Sequence, residues 1–389
     1  MIRGPERATL ADYEAILEIA DTCFPHDREL GGMLARWPHC YLEDPRAIRN
    51  FLLIRDDGRP VSVVEYVDHV VKIGEGRVQV GGLTAVATLP SYRRRGFMTR
   101  LLERCIQCMG EEGYALSELG GYRLRYNRFG WENGGLEWRF DVDPRCLHER
   151  SRDDRYRVAP YERQPEALQA IVAIHDGELV GLERSAALTV TLLQRGGYET
   201  WLAQDPAGVA AYVTCYVDED GERSVAEFGG HPEGICAILC HLIDDVGTRG
   251  LSIKSPRAHP FNEIFSSVSW RWGLAFPRMI KIIDLRRTLD SFAGQLLARC
   301  QQVELRKERS VALVVEETGQ QVQVNLSPDR VSLSPVGKGT LAIRLPERAM
   351  VRLLFCPRGL GLWTDLPAGV RLFASLLPLD LFIWPLERV

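Results

Sequence analysis

At 389 residues the chain is longer than a single hydrophobic core usually grows, so two or three domains are expected. Its 46% apolar and 26% charged residues are those of an ordinary globular protein, which excludes a fibrous or low-complexity chain. The net charge of −4, with acids and bases interspersed and no basic stripe, gives no electrostatic reason for a nucleic-acid or membrane partner. Met1 to Arg7 lacks the apolar stretch of a leader, and no run of about 18 uncharged apolar residues appears. The cysteines, including the close pairs Cys105/Cys108 and Cys236/Cys240, fall in apolar helical patterns and read as core residues, not zinc ligands or a disulfide framework. The expected setting is a reducing cytoplasm, without metal.

In chain order, a helix opens at Leu10 to Tyr13, with Ile16, Leu17, Ile19, Ala20 and Phe24 at helical spacing. Strands follow at 51–55, 61–71 and 78–87, turning at Asp57-Gly58 and Glu75-Gly76. Gly96 begins a helix carrying Met98, Leu101, Leu102, Cys105 and Met109 on one face, and a strand at 115–119 comes next. From about Tyr156 the order repeats: a helix at 165–175, strands at 199–202, 209–216 and 224–228, a helix at 235–246 and a strand at 251–253. The last part changes character, with a strand at 279–285, a helix at 289–297, a meander over 311–334, a strand at 340–345 and helices near 348–354 and 370–376. The fold class expected is α+β, in three units: 1–148, 149–283 and 284–389.

The segment from Val80 to Met98 is a strand, a turn bounded by Pro90, three arginines, a glycine and a helix start. Helix N-termini carry unpartnered N–H groups and about half a positive charge, and successive turn N–H groups form a nest for a pyrophosphate. Arg93, Arg94 and Arg95 add cationic reach. The corresponding turn of the repeat, Gly229 to Gly234, has no arginine and carries Glu233, so a phosphate site there is lost.

This segment resembles motif A of the GNAT acyltransferase superfamily, Q/R-x-x-G-x-G/A, with Arg93, Gly96 and Met98 at its three positions; Met98 departs from the small residue usual there. Tyr126-Asn127-Arg128-Phe129-Gly130-Trp131 resembles the tyrosine-to-Phe-Gly-aromatic stretch that follows in these enzymes. An active unit, a degenerate repeat and a C-terminal unit like sterol carrier protein together resemble the enhanced intracellular survival (Eis) family of tandem-GNAT acetyltransferases.

The resemblance implies acetyl-CoA as co-substrate and a primary amine as acceptor: an aminoglycoside, a polyamine or a lysine-like group. It implies that Ala85, Val86 and Ala87 pair with the pantetheine arm. The backbone of Arg94, Arg95, Gly96, Phe97, Met98 and Thr99, with Arg93 beside it, would hold the pyrophosphate. Tyr126 would be the general acid, and the carboxylate of Val389 the base. It further implies a homo-oligomer, as a hexamer. Phe24, His26, Asp27 and Trp37, after the first helix, offer aromatic walls and a carboxylate to a cationic amine. The alternative from another class is a non-catalytic acyl-CoA or lipid-binding protein that uses the carrier-like unit.

Overall fold

Alternating and helical apolar patterns become strands and helices largely where the sequence places them. The structure, a computed structural model, describes all residues except 26–30, 143–144, 146, 148–154, 219–220, 245, 247–249 and 358–367. Strands up to residue 142 are β1 (Ile2–Arg7), β2 (Phe51–Asp56), β3 (Arg59–Ile73), β4 (Gly76–Thr88), β5 (Leu116–Leu119), β6 (Glu132–Gly134) and β7 (Glu137–Val142). The middle stretch adds β8 (Arg157–Pro160), β9 (Val180–Leu182), β10 (Tyr198–Asp205) and β11 (Gly208–Val217). It continues with β12 (Arg223–Gly230), β13 (Leu251–Pro256), β14 (Arg271–Ala275) and β15 (Arg278–Ile282).

The first sheet runs β1-β2-β3-β4-β5-β15-β6, with β9 also paired to β3. The second runs β8-β10-β11-β12-β13-β7-β14. Along these two paths each has one parallel pair, β4/β5 and β12/β13, and the other neighbours are antiparallel. A helix crosses at each parallel pair, as parallel strands require: α2 (Phe97–Glu112) in the first unit and α4 (Pro232–Asp244) in the second. Helices α1 (Tyr13–Cys23) and α3 (Pro165–Asp176) precede each unit's second strand. The α+β class and the repeat expected from sequence are both present.

The sixth strand of each sheet is exchanged. β7 follows β6 in the chain yet pairs with β13 and β14, and β15 follows β14 yet pairs with β5 and β6. Strands therefore change sheet at residues 135–136, between β6 and β7, and at residues 276–277, between β14 and β15, and β9 also joins the first sheet from within the middle stretch.

The third unit holds β16 (Arg309–Val315), β17 (Gln321–Leu326), β18 (Val331–Ser334) and β19 (Ala342–Leu345), in the order β18-β17-β16-β19. Its helices are α5 (Leu285–Ser291), α6 (Ala293–Gln302), α7 (Glu347–Phe355) and α8 (Ala368–Ser375). The single helix expected over 289–297 is two, breaking at Phe292, whose ring is fully buried. This unit shares one apolar core with Val71, Ile73, Val78 and Val80 of the first sheet.

On α2, Phe97, Leu101, Leu102, Cys105, Cys108 and Met109 are buried. Each such side chain contributes on the order of 1.5–3 kcal/mol by leaving water. Cys105 and Cys108 are thus core residues, as expected. Among the described residues no helix is long and apolar enough to cross a membrane.

Candidate functional site

β4 changes conformation as it nears its end. Val63 pairs with Ala87 and Glu65 with Thr84, so Ala85 and Val86 together stand opposite Val64. Ala85 takes a positive φ of 50°, a β-bulge that bends the strand and turns backbone groups out of the ladder. The chain then makes a short 3-10 turn at Pro90–Tyr92 and enters the arginine turn.

Arg94 (φ 64°) and Gly96 (φ 75°) both lie in the left-handed region. Such residues in a tight turn direct neighbouring N–H groups into one concavity, the geometry of an anion nest. Gly96 is also the N-cap of α2. A Cβ there would meet nothing within 4 Å, so the backbone conformation, rather than lack of space, selects glycine.

Between the bulge and this turn lies a cleft of about 500 Å³. Of the residues expected at the co-substrate, Val86, Ala87, Arg93, Arg94, Gly96, Phe97, Met98 and Thr99 line it, and so does Phe24 from the acceptor set. Ala85 is buried behind the wall, shaping the bulge. The Arg95 side chain is turned away, its guanidinium 4.8 Å from the Tyr92 ring centre and Nη2 donating to the Ser91 carbonyl at 3.3 Å. Arg93 Nε donates to the Thr88 carbonyl at 3.2 Å.

Two further cationic residues line the cleft beyond those expected from sequence. Arg125 and Arg128 come from the short helical stretch beside Tyr126, and Arg128 Nη2 donates to Thr99 Oγ1 at 3.1 Å. The signal was present as the basic run Arg123, Arg125 and Arg128 around the tyrosine.

Tyr126 is buried at the edge of the core that also holds Leu101, Leu119, Trp131 and Val86. Burial pushes its phenol above the ordinary value, and the neighbouring Arg125 pulls the other way. The hydroxyl is therefore protonated at neutral pH.

Val389 is buried in the apolar cluster that includes Ala85, Ala87, Phe24 and Trp37. It seats on Gly82 of β4, where a Cβ would lie 2.7 Å from Val389 Cγ2 and 3.0 Å from the His69 ring. Arg278 of β15 donates from Nη2 to the Val389 oxygen at 2.8 Å and from Nε to Glu118 of β5. The His39 Nε2 lies 3.1 Å from the Arg388 carbonyl. Around this seat Glu65 Oε2, His69 Nδ1, Glu118 Oε1 and His39 Nδ1 are buried without hydrogen-bond partners.

Trp37 does not line the cleft. It shares the Val389 cluster and is covered by Arg195, 4.4 Å from its ring centre. Asp27 and His26 lie outside the described residues.

A second polar group sits in the middle unit. His175, Glu227 and Glu387 come close enough for a metal set, yet Arg184 donates to both carboxylates, and a guanidinium occupies the place a cation would take.

Residues 5–134 match the family model described as an acetyltransferase (GNAT) domain. Three solved structures are similar over nearly their whole length. A GCN5-related N-acetyltransferase from Kribbella flavida has a TM-score of 0.70 at 16% identity, covering 99% of each chain. One from Anabaena variabilis has a TM-score of 0.72 at 15% identity, covering 100% of each. Eis1 from Mycobacterium abscessus has a TM-score of 0.61 at 16% identity, covering 91% of this chain and 88% of that one. No curated protein matches the chain.

Proposed function

We propose that the chain is an acetyl-CoA-dependent N-acetyltransferase that acylates a primary amine on an aminoglycoside, a polyamine or a lysine-like group. The observation that carries this reading is the cleft between the β4 bulge and the left-handed turn at Arg94 and Gly96. It joins a nest of N–H groups, two arginines from the turn and two from the Tyr126 stretch in one groove, a donor set that fits a pyrophosphate.

Bound acetyl-CoA supplies the thioester carbonyl and the leaving sulfur. The bulged Val86 N–H would donate to the carbonyl oxygen as charge develops there, a contact worth about 10²–10³ in rate. The amine nitrogen forms the new C–N bond while the C–S bond breaks. The Val389 carboxylate takes the proton the ammonium must lose before attack, Tyr126 gives its proton to the departing sulfur, and the adduct's nitrogen returns a proton to the Tyr126 oxygen as the amide forms. The guanidinium of Arg278 supplies the counter-charge a buried terminal carboxylate needs. Phe24, which lines the cleft, is the described residue of the proposed acceptor wall; Trp37 stands outside the cleft and Asp27 outside the described residues.

A homo-oligomer, as a hexamer, and a cytoplasmic setting belong to the same proposal. Exposed Trp270, Trp272 and Leu274 on and beside the edge strand β14 support association. The carrier-like character of the third unit is likewise proposed.

The second reading, binding of an apolar ligand, has one feature in its favour. A cleft of about 760 Å³ at the junction of the three units is lined by Ile73, Leu136, Leu179, Phe261, Ala298 and Phe382. Thiol release from acetyl-CoA across a panel of amines separates the two. Native protein is expected to turn over with one amine class. Tyr126→Phe should lower kcat by about 10²-fold with little loss of stability. Gly96→Asp, which adds a negative charge in the nest, should abolish acetyl-CoA binding in calorimetry. Unchanged affinity in a folded Gly96→Asp protein would remove the turn from the mechanism.

A further inference from the structure

The segment from Leu379 to Val389 passes through four separate cores. Leu379 and Leu381 belong to the core of the third unit, and Phe382 and Trp384 to that of the middle unit under α4. Leu386 lies in the cluster on the opposite face of the middle sheet, and Val389 in the first unit beside β4. An end held this way is fixed by side chains along its length, unlike a terminus that merely rests on a surface.

The strongest of those holds is polar. Glu387 is fully buried, and its carboxylate accepts from the Leu182 N–H at 3.1 Å, the Trp384 N–H at 3.3 Å and Arg184 Nη1 at 3.2 Å. His175 Nε2 is 3.4 Å away. Arg184 is in turn fixed by Glu227, at 2.8 and 2.6 Å, and Tyr212 donates to that same carboxylate at 2.7 Å. Apart from the Trp384 N–H, these partners belong to the middle unit.

A second hold acts one residue earlier. Arg195 Nη1 donates to the Leu386 carbonyl at 2.5 Å, Nε donates to the Arg36 carbonyl at 3.0 Å, and the guanidinium covers Trp37. The same arginine thus ties the tail to the Arg36–Trp37 segment of the first unit. On the far side of Glu387, Arg388 Nη2 donates to Glu137 of β7 at 2.6 Å.

We propose that the middle unit, which lacks a basic phosphate turn, is a socket for the chain's last residues, and that Glu387 is the positioning residue that sets Val389 in the first unit's site. The proposal rests on Val389 acting there, as read above. The geometry explains why a carboxyl group is buried so deeply: with several fixed donors it has one low-energy placement, whereas an apolar side chain could slide. Two residues separate Glu387 from Val389, so a loosened anchor moves the terminus by an ångström or more. Displacement on that scale costs catalysis about 10²-fold without touching a reacting group.

The test compares the full-length native chain with Glu387→Gln, which keeps shape but replaces an acceptor by an amide. Kinetics are measured by thiol release with acetyl-CoA and the active amine. Hydrogen exchange is measured at the tail amides of 382–389. Glu387→Gln is expected to lower kcat by about 10²-fold, leave the acetyl-CoA KM unchanged and lose protection only in the tail. Unchanged kcat, or lowered kcat with a fully protected tail, overturns the positioning role. If the variant does not fold, Arg195→Gln applies the same two readouts to the neighbouring hold, with the same outcomes deciding. A chain lacking Arg388 and Val389 keeps the anchor and removes the terminus. If it retains full kcat, the terminal-carboxylate reading falls, and the exchange data still judge whether Glu387 holds the tail.

Discussion

His69 faces Gly82 and Val389 from β3 with its Nδ1 unpartnered. Burial drives its imidazole down to about 4; Glu118 pulls it up and Arg278 adds to the depression. The unfolded chain would protonate this histidine near 6.5, and the native one would not. Its contribution to stability is therefore complete above pH 6.5 and is lost as pH falls toward 4, by roughly 3 kcal/mol in all. Glu65, pushed up by burial, has the opposite sign, its contribution being complete at acid pH and lost as pH rises. The total curve mixes the two, so the native protein must be compared with His69→Gln by denaturant unfolding at several pH values. The native advantage should shrink between pH 6.5 and 4, and a pH-independent difference would show that His69 titrates normally in the fold. At this scale the left-handed turn at Arg94 and Gly96 was legible because its residues are contiguous and its glycine acts locally. Arg278 and Glu118 were not, because they meet only after the chain has traversed another unit.

Among the elements, the hairpins and amphipathic helices were readable because turn residues and periodicity are local signals. The exchange of β7 and β15 was not. Only residues 135 and 136 separate β6 from β7, which looks like an ordinary hairpin, yet the two strands go to different sheets. β1 was missed as well, since Gly4 and Pro5 interrupt it; it survives as a bulged edge strand. The exchange has a direct consequence for truncation. Without β15, β5 loses a neighbour and β6 loses its only pairing among the described residues. A fragment of residues 1–148 is thus expected to show no cooperative melt by circular dichroism and no acetyl-CoA binding. A fragment that melts cooperatively and binds like the full chain would show that β15 is dispensable.

For the whole molecule, the repeat has a like strand order but no arginine in its turn at Gly229 to Gly234. Glu233 stands in the first turn of α4, where an anion would otherwise be welcome. One acetyl-CoA per chain is the expected stoichiometry in calorimetry, and two would restore a binding role to the middle unit. The sequence shows a repeated order of elements followed by a change of pattern, and the described residues form three sheets. What could not be read was that the units are interlocked, because no local pattern reports which sheet a strand will join.

Interlocking also sets a clock on synthesis. Arg278 and Glu118, partners in the first sheet, are 160 residues apart in the chain. At about 5–20 residues per second, β5 emerges roughly 10–30 seconds before the strand that covers its open side. For that interval the nascent first unit presents an unpaired backbone edge, so its exposure to misassembly depends on how quickly the middle unit is made.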